Sequence, residues 1–290
     1  MFILVGTFPQ EDFGLLAGKV LFDNFELKIE NKIIPITRGT PALAGAVCVC
    51  CEVLNLEFPF LVLGGDIGKG NGSQKVYNYL INNLGSLKPT LIVFHYLLPN
   101  IDWEIKMLLA IEELSCQPKL IADAGHMYAA KMSGQASKYD LFTPDIGELA
   151  FLADECAPHP FYTRGFILHQ EENTEELIRR SVQHKNAAKY LLVKGAKDYI
   201  VKKGEILKAV DSPCEPALEA IGGTGDTLTG IVSALVRAGF SWEESLFLGA
   251  KVNRLAGSLA KPTPATQIID IIKKIPEALR TVLSGNKRYS

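Results

Sequence analysis

Ala220-Ile221-Gly222-Gly223-Thr224-Gly225-Asp226-Thr227-Leu228-Thr229-Gly230 is the stretch whose reading decides the fold. Two adjacent glycines and a third run into an apolar pattern, Leu228, Ile231, Val232 and Leu235, spaced i, i+3, i+4, i+7. The pattern predicts a glycine-rich loop entering a helix near Thr227. Unpaired N–H groups at such a helix start point outward, with the positive end of the peptide dipoles behind them. Glycine lets a ligand approach the backbone closely, so the loop suits a phosphate or another oxyanion. Asp226 would stand beside that anion hole, where a carboxylate can take a proton from a hydroxyl. A plain loop-to-helix junction with Asp226 as a helix-start residue fits the same residues. The positions of the other loops decide between the two.

Working back from this stretch, Tyr199–Lys203 and Ile206–Val210 predict a hairpin around Lys203-Gly204-Glu205, and Tyr190–Lys194 predicts a strand followed by Gly195-Ala196. Asp140–Thr143 reads as a strand, and Pro144 then opens a loop and helix carrying Glu148. Lys119–Asp123 is a strand ending on a carboxylate, with a helix near His126–Met132. Thr90–Phe94 is a further strand, and Asp102 would cap a helix with Ile105, Leu108 and Leu109 on its inner side. Phe60–Leu63 is a continuous apolar run, expected of a strand covered on both faces. It leads into Gly64–Ser73 and a helix through Val76, Leu80 and Leu84. That loop is neither a P-loop, since no Ser or Thr follows Lys69, nor a full G-x-G-x-x-G, since Ser73 stands at the last glycine.

Nearer the start, residues 2–5 predict a strand, and Phe25–Ile29 with Ile33–Ile36 a hairpin. Thr40 is the expected N-cap, and Pro41 the first residue, of a helix running to about Val53. Residues 154–172 read as irregular, a lid or a surface excursion, and Asn173 with Glu176 as a capping box. Ser241 and Glu244 make another box for a helix from Trp242 to about Ala260, and a last amphipathic helix covers about 266–283.

Strands alternating with helices predict an α/β fold, a three-layer α/β/α sandwich around a mostly parallel sheet. The expected organisation is a single domain over 1–290, with residues 1–36 as a strand-plus-hairpin extension. Ligands in such folds sit beyond the carboxyl ends of the strands. Gly64–Ser73, Asp123, Thr143–Glu148, Lys194–Ala196 and Gly222–Asp226 all fall there. Their shared location favours the functional reading of the glycine loop.

The totals narrow the partners. The 290 residues are 48% hydrophobic and 21% charged, with a net charge of −2. That charge argues against a nucleic-acid-coating surface and gives no reason to propose anionic membranes. The opening Met-Phe-Ile-Leu-Val-Gly lacks a basic n-region and reads as a strand rather than a signal peptide. A cytoplasmic protein acting on a small molecule is expected, with a homo-oligomer left open. Cys48, Cys50 and Cys51 lack a second zinc-spaced cluster and read as buried free thiols.

The chain resembles the ribokinase-like superfamily, and within it the ATP/ADP-dependent NAD(P)H-hydrate dehydratase group. The resemblance rests on Asp123-Ala-Gly, Phe142-Thr-Pro-Asp-Ile-Gly-Glu148, Val193-Lys-Gly-Ala196 and Gly222-Gly-Thr-Gly-Asp-Thr-Leu-Thr-Gly230, in family order over about residues 37–285. It implies a nucleotide, ATP or ADP, held by Gly222, Gly223, Thr224 and Gly225, with Asp226 in the catalytic position. Lys194, Gly195, Ala196 and Thr143 would lie near the nucleotide, and Glu148 near its phosphates or Mg2+. Asp123, Gly39, Thr40, Asp66 and His95 fall to the acceptor side.

Some segments depart from the family. Phe94-His-Tyr-Leu-Leu-Pro99 stands where the dehydratases carry a Gly-Pro-Gly-Leu-Gly-like loop, and Asp145-Ile146 replaces a His-Pro pair. A small-molecule hydroxyl kinase and a non-catalytic nucleotide-binding relative are the alternative readings. His95 and His126 are expected at a solvated rim, Lys69 as a loop lysine or phosphate contact, and Arg38 at the surface or on an anionic acceptor. His159 and His169 receive no role.

Overall fold

The computed structural model describes residues 1–157 and 174–285. Its strands are β1 (Phe2–Phe8), β2 (Leu15–Lys19), β3 (Leu21–Asp23), β4 (Glu26–Ile29), β5 (Lys32–Ile34), β6 (Phe60–Gly65), β7 (Leu91–Phe94), β8 (Lys119–Ala122), β9 (Leu141–Phe142), β10 (Tyr190–Val193), β11 (Asp198–Lys202) and β12 (Glu205–Val210). Its helices are α1 (Thr40–Leu54), α2 (Asn71–Leu87), α3 (Ile101–Glu112), α4 (Gly125–Met132), α5 (Ile146–Ala153), α6 (Thr174–Gln183), α7 (Thr224–Arg237), α8 (Trp242–Leu259), α9 (Ile268–Ile272) and α10 (Ile275–Ser284). The chain is an α/β protein with a large, mostly parallel central sheet and flanking helices. It divides into two compact units.

The first unit comprises Met1, Ile3–Leu15 and Gly64–Ala209. Its strands neighbour one another in the order β12-β11-β10-β9-β8-β7-β1. β7, β8, β9 and β10 pair in parallel, with Ile92 opposite Leu120 and Ile121 opposite Leu141, and β11 returns antiparallel to β10. Ile3, Leu4, Val5, Ile92, Val93, Phe94 and Ile121 are buried without alternation. Sheets covered on both faces produce that pattern, and it explains why these strands read as unbroken apolar runs.

The second unit comprises Phe2, Leu16–Leu63 and Val210–Ser290, described to residue 285. Here β3, β4 and β5 form a small antiparallel sheet, with Ile29 opposite Lys32; the hairpin turn, expected over Glu30-Asn31-Lys32, is confined to Glu30-Asn31 because Lys32 begins β5. α1 is buried from Thr40 to Cys51, and Cys48, Cys50 and Cys51 are free thiols inside it. Its contact with α7 is close because of glycine: a Cβ on Gly230 would meet the Leu43 carbonyl oxygen at 2.6 Å.

Several boundaries differ from the sequence reading. Gly39, not Thr40, is the N-cap of α1, and Thr40 is its first residue. α7 starts at Thr224, so Asp226 lies in its first turn rather than ahead of it. α3 is capped by Asn100, whose Oδ1 accepts the Trp103 N–H at 3.0 Å, not by Asp102. Its face is also turned: Glu104, Met107, Leu108 and Ile111 are buried, while Ile105 and Leu109 are 38% and 55% exposed. The cause is a polar partner, since Glu104 meets the Tyr139 hydroxyl at 2.6 Å inside the core. Apolar periodicity cannot see such a compensation. The last helix is broken into α9 and α10 around Lys273-Lys274, with a proline in the first turn of α10. The expectations for residues 158–173, including His159, His169 and the Asn173 cap, lie outside the described residues. No helix among the described residues is long and apolar enough to cross a membrane.

Candidate active site

In the second unit the glycine stretch forms the N-terminus of α7. Gly223 is its N-cap at φ 109°, a backbone setting that side chains rarely adopt, and a Cβ there would also meet Ile268 Cγ1 at 2.9 Å. Gly222 is exposed, and a Cβ on it would meet nothing closer than Arg38 Cδ at 3.6 Å. One glycine thus shapes the turn and the other leaves its outer face open. α8 braces this turn: Asn253 Nδ2 donates to the Thr224 carbonyl at 3.1 Å, and Thr227 Oγ1 donates to Asn253 Oδ1 at 2.7 Å.

Asp226, 8% exposed, projects from the first turn, and its Oδ2 accepts the Gly39 N–H at 2.6 Å. The amide that begins α1 therefore orients the carboxylate that begins α7. Gly39 and Asp226, 187 residues apart in sequence, become one device. A short N–H···O bond to a carboxylate is charge-assisted and holds one oxygen in place. Thr40 is buried behind Gly39, and Arg38 is exposed.

In the first unit the functional candidates follow the carboxyl ends of the parallel strands. After β8, Asp123 is 1% exposed; its Oδ1 accepts the Ala124 N–H at 2.8 Å and the Lys194 ammonium at 2.8 Å. Lys194 follows β10, its backbone bridged in parallel to Asp145. Burial opposes its charge, but Asp123, then Glu148 and Asp145, outweigh burial and raise its pKa above the usual lysine range. Glu148 and Asp145 form a reciprocal capping box on α5: Glu148 N–H reaches Asp145 Oδ1 at 2.7 Å, and Asp145 N–H reaches Glu148 Oε2 at 2.8 Å. Burial pushes the Glu148 carboxyl up to about 8, with Lys194 pulling it down and Asp145 and Asp123 pushing it further up. Asp123 pairs directly with the ammonium, while Glu148 and Asp145 act on it through their charge.

Thr143 is buried, Gly195 donates its N–H to Asp198 Oδ1 at 3.2 Å, and Ala196 is exposed. Asp66 spends both oxygens on its own turn. Oδ1 accepts the N–H groups of Gly68, Lys69 and Gly70 at 2.9–3.0 Å, and Oδ2 accepts the N–H and hydroxyl of Ser73. Burial raises its pKa, but these donors outweigh that and leave it below the usual carboxylate value. Lys69 pairs with Glu11 at 2.9 Å.

The rim reading of the two histidines is corrected: His95 and His126 are both fully buried. His95 Nε2 lies 3.9 Å from Asp123 Oδ2, and the His126 ring stacks on Phe94. His95 follows β7 and His126 lies in the first turn of α4, and their burial comes from tertiary neighbours that sequence position alone does not reveal.

A family model described as NAD(P)H-hydrate dehydratase matches residues 98–277. The chain belongs to that family.

An uncharacterized protein of Methanocaldococcus jannaschii is 44% identical over 83% of this chain and 100% of its own length. The ADP-dependent (S)-NAD(P)H-hydrate dehydratase of Cenarchaeum symbiosum is 25% identical over 60% of this chain, which spans 56% of that enzyme. In three dimensions, the fold is similar to a phosphofructokinase-2 mutant from Escherichia coli (TM-score 0.60, 15% identity, 96% and 99% of the two chains). It is also similar to a ribokinase-like superfamily protein of Enterococcus faecalis (TM-score 0.59, 15% identity, 97% and 87%). At those identities the structural likeness shows the fold alone. Asp123, Thr143, Glu148, Lys194–Ala196 and Gly222–Asp226 lie within the region matched to the NAD(P)H-hydrate dehydratase family, while Gly39, Thr40, Asp66 and His95 precede it.

The partners of these residues escaped the sequence. Asp145 was visible only as a departure from the family pattern, and Asn253 sits in mid-helix without a motif. The Gly39 amide, as a backbone donor, carries no residue-type signal at all.

Proposed function

We propose that the chain is a nucleotide-dependent dehydratase that returns hydrated NADH or NADPH to the reduced coenzyme. The observation that carries the reading is the Asp226 carboxylate, oriented by the Gly39 amide at 2.6 Å in the glycine-led first turn of α7. Amides at that turn hold the terminal phosphoryl, and Asp226 takes the proton from the ring hydroxyl as it attacks. The phosphoryl bond to the nucleotide breaks as the new P–O bond forms. Phosphate then leaves with the ring oxygen, the ring gives up a proton, and the double bond is restored.

Lys194, Gly195, Ala196 and Thr143 are assigned to the nucleotide, which is ADP or ATP. Glu148 is assigned to Mg2+, a hard cation that takes carboxylate oxygens and would favour the ionised form of that carboxyl. Bound magnesium would neutralise charge on the polyphosphate. Asp66 shapes its turn, and Asp123 holds Lys194. The reading places the enzyme in the cytoplasm.

A hydroxyl kinase would use the same Asp226 step and stop at the phosphoester. The loop from Phe94 to Pro99, which lacks the family glycines, motivates testing it. The protein is incubated with Mg2+ and ADP or ATP, against hydrated NADH and a panel of small alcohols. Recovery of the reduced-nicotinamide absorbance supports the dehydratase. A stable phosphorylated alcohol without that recovery supports the kinase, and nucleotide binding without turnover of any acceptor contradicts both.

A further inference from the structure

Beneath the turns that carry His95 and Asp123 lies a polar group that the reaction above does not use. Glu104 of α3, His126 of α4, Tyr77 of α2 and Tyr139, ahead of β9, are all fully buried. The Tyr139 hydroxyl donates to Glu104 Oε1 at 2.6 Å and lies 2.7 Å from His126 Nε2. The Tyr77 hydroxyl lies 3.1 Å from His126 Nδ1. Glu104 Oε2 lies 3.2 Å from His126 Nε2, yet it accepts no hydrogen bond. An ionised carboxylate with an unsatisfied oxygen in a sealed site is strongly disfavoured. A proton on Oε2 turns that orphan acceptor into a donor aimed at the imidazole.

We infer that these four side chains form a two-state proton switch: a neutral Glu104 donates from Oε2 to Nε2 of an Nδ1–H His126, and loss of the Glu104 proton reverses the chain. In the first state Nδ1–H donates to the Tyr77 oxygen. In the second, Glu104 is a carboxylate, the imidazole proton sits on Nε2 facing Glu104 and Tyr139, and the Tyr77 hydroxyl donates to Nδ1. One proton leaves to solvent, and the imidazole stays neutral in both states.

The titratable groups facing Glu104 are Tyr77 from α2, His126 from α4 and Tyr139; β7 contributes Phe94, stacked on the imidazole at 4.2 Å. Burial holds the Glu104 carboxyl up at about 7, with Tyr139 pulling down, and holds the His126 imidazole down at about 3. It also pushes both phenols above their ordinary range. Phe94 directly precedes His95 and accepts the Asp123 N–H at 3.0 Å, so the switch touches both strand-end turns. The assignment goes beyond the proposed reaction and does not depend on it.

The test is 15N NMR of histidine-labelled full-length protein from pH 5.5 to 8.5, with the His126 signals identified by their loss in His126→Gln. Below pH 7 the shifts should show a neutral ring protonated at Nδ1, and above pH 7 a neutral ring protonated at Nε2. Glu104→Gln, which keeps a donor toward Nε2, should hold the Nδ1–H form throughout. An imidazolium anywhere in this range, a single tautomer across it in the parent protein, or an inflection persisting in Glu104→Gln would each overturn the assignment. The parent protein carries the main observation, so a Glu104→Gln that fails to fold does not remove the test, and His126→Asn identifies the signals should His126→Gln not fold.

Discussion

The Gly39 amide and the Asp226 carboxylate meet at 2.6 Å, joining the N-terminus of α1 to that of α7 within the second unit. The donor that fixes Oδ2 is a backbone amide, set by the conformation at the start of α1. Asp226→Asn preserves shape but offers an amide where a base is required. Turnover should fall by ~10²-fold or more, as expected on losing a positioned base. Nucleotide affinity by calorimetry should change little. Near-normal turnover would remove Asp226 from the chemistry.

The two adjacent glycines should respond differently to the same change. Gly223→Ala places a Cβ 2.9 Å from Ile268 at φ 109°, so it should destabilise the fold by about 1–3 kcal/mol, the range for strained backbone settings. Gly222→Ala meets only Arg38 at 3.6 Å and should leave the urea midpoint nearly unchanged while weakening nucleotide binding. Equal midpoints for the two variants would show that the turn is less constrained than its geometry indicates.

Lys194 and Asp123 are 13% and 1% exposed at the side chain and 2.8 Å apart. Lys194→Met strips the buried carboxylate of its ammonium and should cost about 3–5 kcal/mol, as for other broken buried pairs. Adding Asp123→Asn removes the stranded charge and should restore much of that loss. Denaturant unfolding of the single and double variants measures the coupling; additive effects would mean that the pair does not act as a unit.

Glu104 and His126 make opposite contributions to stability as pH changes. An unfolded glutamate titrates near 4.3 and an unfolded histidine near ~6.5. In the fold the carboxyl stands at about 7 and the imidazole at about 3. Between roughly pH 4.5 and 6.5 the unfolded chain carries its proton on histidine and the folded chain on glutamate, so the counts match and the pair adds no slope. Glu104→Gln leaves a histidine that is protonated only when unfolded, so stability should rise with pH in this window. His126→Gln leaves a carboxyl that is protonated only when folded, so stability should fall with pH. Melting temperatures across the window check the signs; slopes of the same sign in both variants would contradict the placement of the proton.

Much of the fold was legible because its strands are covered on both faces, so Ile92-Val93-Phe94 and Leu120-Ile121-Ala122 announce themselves without alternation. The capping box Ser241–Glu244 and the tight turn after Ile29 were also readable, since local chemistry fixes them. α3 was misread because its buried face carries Glu104, tolerated only through partners distant in sequence. His95 and His126 were placed at a rim for the same reason: their burial depends on tertiary neighbours such as Phe94. In the candidate site, Asp226 and its glycines were visible as a motif. The Gly39 amide that aims the carboxylate was not, because every residue but proline has one.

The most direct measurement of the central claim follows phosphate release and reduced-coenzyme absorbance together, with hydrated NADH, Mg2+ and ADP or ATP, in the parent protein and in Asp226→Asn. The account predicts equal amounts of phosphate and restored NADH from the parent protein and a loss of both in the variant. Phosphate released without restored NADH, or restoration that survives in Asp226→Asn, would contradict it.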